Sequence, residues 1–165
     1  MRIKNFLLYS FFFLQVLSCT NKKEERYNET FLFAKADEIE ILSYPNRNDW
    51  DSNGEVIDNG KVKLDQKRIV QRIMITKLQS EKLFDILYNF SCKDQEVNAA
   101  CYEPRHSIIF YKKKKAFAFI EICLDCMNTH STDGIKHFGF CAEKINAIDD
   151  LFHKVGLTKP VNDLH

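Results

Sequence analysis

The sequence lacks the features by which most enzymes and polyanion-binding proteins are recognised. Its 165 residues include only five glycines and three prolines, and no glycine-rich loop that could hold a phosphate. It contains no nucleophile motif, no acidic metal-binding cluster, no internal repeat and no low-complexity tract. The formal net charge is only +1. These absences exclude several function classes without identifying an activity.

The N-terminus has the pattern of a secretory signal rather than that of a membrane-spanning helix. Arg2 and Lys4 precede a mostly apolar run at 6–17, which is too short for a permanent span of the bilayer. Removal of residues 1–18 would take away two of the 24 basic side chains and no acid, leaving 22 basic against 23 acidic side chains. Because so balanced a chain is not typical of a polyanion binder, we expect no nucleic-acid partner.

A cysteine follows directly after the apolar run. Val16 stands three residues before Cys19, and the small residue Ser18 stands directly before it. This pattern resembles the lipobox of bacterial lipoproteins, in which the cysteine becomes lipid-modified after cleavage. The polar run 20–25 resembles the export signal of surface lipoproteins of the Bacteroidota, and Thr20 resembles the residue found beside the cysteine of outer-membrane lipoproteins. The resemblance implies a protein anchored to the outer membrane by acyl chains on Cys19, and exposed at the cell surface.

The chain divides into a leader, a tether, one folded domain and a tail. We predict a signal peptide at 1–18, a lipidated N-terminus and tether at 19–36, an α+β domain at 37–157 and a flexible tail at 158–165.

The order of elements within the domain predicts a mostly antiparallel sheet covered by two helices, an α+β fold, because strands and helices do not alternate as in a parallel sheet. The predicted elements are strands at 38–44, 61–64, 68–76, 108–111, 117–122 and 137–140 and helices at 81–90 and 141–155. Ser80 is the expected N-cap of the first helix, and residues 127–134 read as a turn. Trp50 lies in the long loop 45–60, where an aromatic side chain is either a ligand platform or, more often, a cap on the core.

The stretch 101–126 has the pattern of a hairpin, with two apolar runs around four lysines at 112–115. We expect a loose loop, because no Asn-Gly or Asp-Gly pair favours a tight turn. With the lysines as the loop, the register places Tyr111 opposite Ala116, Phe110 opposite Phe117, Ile108 opposite Phe119, His106 opposite Glu121 and Cys101 level with Cys126. A single bulge would shift these pairs by one residue.

Five cysteines remain once Cys19 is assigned to lipid, and an odd number leaves one free or paired between molecules. They are Cys92, Cys101, Cys123, Cys126 and Cys141. One interpretation is structural disulfides, with Cys101–Cys126 favoured by register and Cys123–Cys141 or Cys92–Cys101 as alternatives. A second is a zinc site of Cys101, Cys123 and Cys126 with either Cys141 or His106. A third is a thiol redox centre at 123–126.

Arg105, His106 and Glu121 form the other candidate site. An imidazole opposite a carboxylate could act as an acid-base pair. The simpler interpretation is a polar cross-strand pair at the end of a sheet.

The segments 101–111 (CYEPRHSIIFY) and 121–126 (EICLDC) resemble a pattern in small uncharacterised bacterial proteins, many of them Bacteroidota lipoproteins. That family has no known activity, so the resemblance implies no catalytic residue. We therefore expect a non-enzymatic, lipid-anchored envelope domain without a cofactor, which binds a protein or a small ligand at the cysteine-rich end of the hairpin. The alternative is a metal- or thiol-dependent envelope enzyme that uses Cys123, Cys126 and His106.

Overall fold

The computed structural model describes residues 31–50, 54–95, 97 and 99–158. In chain order the elements are α1 (Phe31–Lys35), β1 (Glu38–Ser43), a 3-10 turn (Arg47–Asp49), β2 (Ile57–Asp58), β3 (Lys61–Val62), β4 (Gln71–Met74), α2 (Lys77–Phe84), a π-helical turn (Asp85–Asn89), β5 (His106–Lys112), β6 (Lys115–Cys123), β7 (Asn128–Ser131) and α3 (Ala142–Lys154). Five strands form one antiparallel sheet in the order β4-β1-β5-β6-β7, and β2 pairs with β3 separately. The predicted α+β fold, an antiparallel sheet covered by helices, is confirmed.

The sheet separates two hydrophobic cores. On what we call the helix face, Ile41, Ile108 and Ile120 of the three central strands are fully buried with residues of all three helices. On the opposite face, the loop face, Leu42 and Ile109 are buried among residues of the 44–64 segment. Because both faces are covered, the central strands are apolar on both sides and read in the sequence as continuous apolar runs.

The hairpin of β5 and β6 contains a bulge. Tyr111 lies opposite Ala116, as predicted, but Phe110 lies opposite Ala118 instead of Phe117. Two consecutive residues of β6, Phe117 and Ala118, therefore contact the helix-face core.

The predicted pairs beyond this bulge are wrong, because each is shifted by one residue. Ile108 lies opposite Ile120, Ser107 opposite Glu121 and His106 opposite Ile122. The shift also moves each residue of β6 after the bulge to the opposite face of the sheet. Glu121 therefore points to the loop face instead of sharing a face with His106.

The tip of the hairpin is a tight two-residue turn, not the expected loose loop. Lys112 pairs with Lys115, and Lys113 and Lys114 have positive φ angles of 49° and 64°, as in a type I′ turn. The Asp37 carboxylate accepts hydrogen bonds from Lys112 Nζ at 2.6 Å and from the Lys113 amide at 2.8 Å. The hydrogen bond from Lys112 is the largest cause of a lowered pKa at Asp37, and the hydrogen bond from the Lys113 amide is the next largest. Asp37, which is distant in sequence, thus stabilises a turn whose two lysines do not favour positive φ angles.

The second predicted helix is confirmed as α3, which buries Ile148, Leu151 and Phe152 and is followed by Gly156 at a φ of 96°. The predicted start of the first helix is wrong. That helix begins after Thr76, whose hydroxyl accepts from the Gln79 amide while the Gln79 side chain accepts from the Thr76 amide. This capping box leaves Ser80 buried inside α2.

Three further segments differ from the prediction. The polar segment 127–134 contains the edge strand β7, whereas the predicted strand 137–140 is reduced to a single bridge between Phe140 and Val97. Leu32 and Phe33 of α1, which the sequence placed in the tether, are buried in the helix-face core. The predicted signal peptide, Cys19 and the chain from residue 159 onward lie outside the described residues. None of the described helices combines the length and the hydrophobicity that a bilayer span requires.

We predict that replacing Lys113 by Asn together with Lys114 by Gly raises the free energy of unfolding by about 1 kcal/mol, because Asn and Gly adopt positive φ more readily than lysine. Urea denaturation measures the change. The double alanine variant at the same positions removes the same charges without relieving the backbone, and we expect no stabilisation from it. Equal effects of the two variants would contradict the turn geometry.

Candidate functional site

The loop face carries a buried carboxylate with an unusually complete set of hydrogen-bond donors. Glu121 of β6 is fully buried, and Arg47 places Nε 2.6 Å from its Oε1 while Nη2 donates to Oε2 at 2.9 Å. The Tyr44 hydroxyl donates to Oε1 at 2.8 Å and the Tyr102 hydroxyl to Oε2 at 3.1 Å. The carboxylate therefore joins β6 to the loop after β1 and to the segment before β5.

His130 is the imidazole that lies beside this carboxylate. It is the direct cross-strand neighbour of Glu121 on β7, and its Nδ1 lies 3.6 Å from Glu121 Oε2. Its ring meets the rings of Phe119 and Tyr102 edge to face, at centroid distances of 5.3 and 6.4 Å. More than half of the His130 side chain is exposed, so it forms the outer edge of the cluster.

The phenols of this cluster hold their protons. Burial raises the pKa of Tyr44 well above its ordinary value, and the negative charge of Glu121 raises it further. Burial and the charge of Glu121 also raise the pKa of Tyr102. Both hydroxyls consequently remain donors to the carboxylate at neutral pH.

A second cluster, of one carboxylate, one arginine and one tyrosine, lies on the same face of the sheet. Arg72 of β4 donates from Nε and Nη2 to the two carboxylate oxygens of Glu40, at 2.8 and 2.9 Å, and Tyr111 donates to Glu40 at 2.6 Å. The Arg72 side chain is 40% exposed, whereas that of Arg47 is 10% exposed. The two clusters therefore allow an ion pair with a partly exposed arginine to be compared with a buried ion pair.

An open cleft of about 410 Å³ adjoins the Glu121 cluster. The third guanidinium nitrogen of Arg47, Nη1, donates to the Gly54 carbonyl at 2.9 Å at this cleft. The cleft is lined by Arg47, Trp50, Gly54, Glu55, Asp58, Lys63, Leu64 and Asp65. A volume of this size lies within the range of small-molecule sites, roughly 300–1,000 Å³.

Trp50 lines this cleft and belongs to the loop-face core. Its side chain is only 7% exposed and meets the Tyr44 ring edge to face at 5.3 Å. The Arg68 guanidinium lies 5.8 Å from the indole centroid, within cation-π distance. The indole Nε1 has no hydrogen-bond partner among the described residues.

The rim of the cleft has paired charges of both signs. Lys63 Nζ lies 3.4 Å from Asp58, and Arg68 Nε lies 3.8 Å from Asp65. All four side chains are at least 40% exposed, so these pairs are weak and open to exchange with a ligand.

The structure does not bring the predicted polar triad together, so the pairing of His106 with Glu121 is wrong. His106 lies on the helix face, with its ring 5.1 Å from that of Phe152. The Arg105 guanidinium lies 3.8 Å from the Glu103 carboxylate. The backbone carbonyl of Arg105 accepts a hydrogen bond from the Tyr44 amide. Only Glu121 belongs to the buried cluster.

Among the five cysteines that the structure describes, Cys92 pairs with Cys141 and Cys123 with Cys126, while Cys101 is free and exposed. The general prediction of structural disulfides with one odd cysteine agrees with this arrangement. The pairings Cys101–Cys126, Cys123–Cys141 and Cys92–Cys101 are all wrong.

The proposed zinc ligands are not assembled. In the described part of the chain, no group of three or more His, Cys, Asp or Glu side chains could hold a metal ion. Cys123 and Cys126 are only 2% and 3% exposed, and the Cys126 amide donates to Cys123 Sγ at 3.1 Å. Burial keeps an external thiol or substrate from reaching this pair.

The sequence argument missed Arg47, Tyr44, Tyr102 and His130. Tyr44 continues the alternation of Leu42 on β1, so its position on the loop face was readable. Arg47 follows Asn46, whose side chain accepts from the Asn48 amide and starts the 3-10 turn, but no local signal shows where the guanidinium goes. His130 depends on recognising β7 in a polar segment.

Comparisons with other proteins add no assignment. The sequence matches no protein-family model, and searches of curated proteins and of solved structures find no significant match. The candidate function therefore rests on the geometry of the chain itself.

We predict that Glu121→Gln lowers the free energy of unfolding by about 3 to 5 kcal/mol, because it leaves Arg47 buried without a counter-charge. Glu40→Gln is the matched control, and there the partly exposed Arg72 should limit the loss to about 1 kcal/mol. Urea midpoints of the two variants give the comparison. Equal losses would show that burial does not set the importance of the Glu121 pair.

For the disulfides, we predict that replacing both Cys92 and Cys141 by serine lowers the free energy of unfolding by about 4 kcal/mol, since this bond closes a span of 49 residues. Replacing Cys123 and Cys126, which lie three residues apart, should cost about half as much on the same loop-entropy argument. Urea denaturation without reductant tests the order of the two losses.

Alkylation of the native, non-reduced protein supplies the control for these pairings. Peptide mass mapping should find Cys101 labelled and the other four described cysteines protected. Labelling of Cys92 or Cys141 under the same conditions would contradict the assigned pairs.

Proposed function

We propose that this protein is a non-enzymatic binding domain, lipid-anchored at the bacterial outer membrane, that takes its ligand in the cleft over Arg47 and Trp50. The observation that carries the proposal is the fixed guanidinium at the edge of that cleft. Nε and Nη2 of Arg47 are held by Glu121 and Nη1 by the Gly54 carbonyl. A side chain ordered before binding loses little entropy when a ligand arrives.

Binding is favoured over catalysis by the state of the groups around the cleft. Tyr44 and Tyr102 keep their protons because their pKa values are raised, and Glu121 is buried with its oxygens already bonded. These three groups are hydrogen-bonded to one another, so their interactions are already used within the fold.

The alternative of a metal- or thiol-dependent enzyme has no corresponding support. Cys123 and Cys126 are paired and buried, and His106 packs against Phe152 on the helix face. The three residues that this enzyme would use therefore offer no shared, accessible site.

Lipid anchoring is proposed from the N-terminal pattern. Val16, Ser18 and Cys19 resemble a lipobox, and Thr20 and the polar run 20–25 resemble the sorting and export signals of outer-membrane and surface lipoproteins. Several acyl chains on Cys19 would hold the protein firmly, since each buried methylene contributes ~0.8 kcal/mol. The polar run would let the folded domain stand away from the bilayer.

We predict that Cys19→Ser removes acyl labelling and releases the protein from the membrane fraction, because the Cys19 thiol is the proposed attachment point of the acyl chains. Metabolic labelling with a fatty-acid analogue and fractionation measure both effects. Cys101→Ser, which removes a free and exposed thiol, is the matched control and should remain labelled and membrane-bound. Membrane association that survives Cys19→Ser would contradict the anchoring.

A further inference from the structure

The edge strand β4 presents backbone hydrogen-bonding groups to solvent. Among the described strands it pairs with β1 alone. The Ile75 amide donates to the carbonyl of Ile39, directly opposite, at 3.0 Å. Because backbone groups alternate in direction along a strand, those of Ile73 point to β1, and those of Arg72 and Met74 point away from the sheet. An open edge of this kind can accept a further strand.

Exposed apolar side chains are concentrated at this edge. Val70, Met74 and Leu78 are 52%, 54% and 75% exposed, and they are three of the four exposed large apolar residues in the described part of the chain. Val70 directly precedes β4, and Leu78 lies in the first turn of α2, which follows it. A single apolar residue on a surface is ordinary, but three along one open strand are typical of a contact with another protein.

The same edge has an excess of positive charge. Residues 66–78 contain four basic and no acidic side chains, namely Lys67, Arg68, Arg72 and Lys77. The two arginines lie beside carboxylates of other segments, at 3.8 Å from Asp65 and 2.8 Å from Glu40. Lys67 and Lys77, one before β4 and one after it, are exposed and form no ion pair with any described residue. Carboxylates on a partner strand would complement these two lysines.

Two common protections of an edge strand, an outward charge and a proline, are absent from β4. Arg72 is its only charged residue, and two hydrogen bonds to Glu40, at 2.8 and 2.9 Å, hold the guanidinium against β1. The opposite edge strand, β7, contains no large apolar residue. Of the two edges of the sheet, β4 is therefore the one that fits a partner.

We propose that β4 binds an extended segment of a partner protein, rich in apolar and acidic side chains, as a sixth strand of the sheet. Backbone hydrogen bonds to Arg72 and Met74 would provide affinity, and the side chains would provide specificity. A second copy of this chain fits less well, because the antiparallel register that sets Val70 against Met74 also sets Arg72 against its own counterpart. No residue of β4 lines the Arg47–Trp50 cleft, so this proposal does not depend on the ligand of the cleft.

A synthetic peptide tests the proposal directly. The full chain, solubilised in detergent, is titrated with a fluorescently labelled octapeptide of alternating valine and glutamate while fluorescence anisotropy is followed. One control peptide has lysine in place of glutamate, and another carries N-methyl groups on alternate residues, which removes backbone donors. We expect saturable binding of the glutamate peptide, about tenfold weaker binding of the lysine peptide and no binding of the methylated one.

Three variants locate the binding. Met74→Pro removes an outward amide without breaking a hydrogen bond to β1, and should weaken binding about tenfold. Ser131→Pro on β7 is the matched control and should leave binding unchanged. The Thr132 amide donates to the carbonyl of Phe119, directly opposite, so the Ser131 amide also points away from the sheet. Lys77→Glu should weaken binding about threefold and preserve α2, since an acidic residue suits the first turn of a helix.

Binding of the glutamate peptide that Met74→Pro and Lys77→Glu weaken, and Ser131→Pro does not, would support the proposal. If circular dichroism shows that Met74→Pro is unfolded, Lys77→Glu decides alone. Equal binding of the glutamate and lysine peptides, equal losses in the two proline variants, or no binding at all would overturn it. Light scattering of the peptide-free chain tests the second copy, since a dimer that Lys77→Glu or Met74→Pro changes to a monomer would also overturn the proposal.

Discussion

The ion pair between Glu121 and Arg47 is the interaction on which the loop face of this protein depends. Removing two charges from water is expensive, and their attraction offsets that cost only when the geometry is good and the remaining hydrogen-bonding capacity is used. Here both carboxylate oxygens accept hydrogen bonds, and Nη1 and Nη2 of Arg47 donate to Gly54 and Glu121. Arg47 Nε lies 2.6 Å from Glu121 Oε1 as an ion-pair contact without a hydrogen bond. The pair therefore fixes one arrangement of a segment that has little regular structure of its own.

The bulge in β6 decides where this pair forms. Without it, strict alternation from Ala116 would place Glu121 on the helix face and turn Ile120 and Ile122 toward the loop. With Phe117 and Ala118 both opposite Phe110, the two isoleucines fill the helix-face core and Glu121 meets Arg47. One extra residue in one strand thus converts a predicted surface pair into a buried network.

Much of the fold was readable from the sequence, because it depends on local patterns. The α3 helix has an apolar face, charges that suit its ends and a terminating glycine, and β1 and the hairpin are β-prone runs bounded by polar segments. The failures lie where two local signals compete or where none exists. Thr76 and Ser80 are both good caps, and only the capping box with Gln79 favours the first. The strand β7 is a polar edge, so its sequence has no apolar alternation to detect.

The candidate site was less readable for the same reason. Glu121 and the cysteines were identified, but their partners are set by contacts between segments far apart in the chain. Arg47 is 74 residues from Glu121, and Cys92 is 49 residues from Cys141. The cleft that we propose as a binding site is a consequence of the first of these contacts, since Arg47 both holds Glu121 and lines the cleft.

The measurement that tests this most directly is a double-mutant cycle on Arg47→Met and Glu121→Gln, with unfolding followed by the fluorescence of Trp50 beside the pair. A buried, mutually dependent pair predicts a coupling free energy of about 3 kcal/mol, so that the double variant is far more stable than the sum of the single losses implies. Losses that add to within about 0.5 kcal/mol would show that the two side chains act independently, and would remove the interaction from which the loop face and its cleft are built.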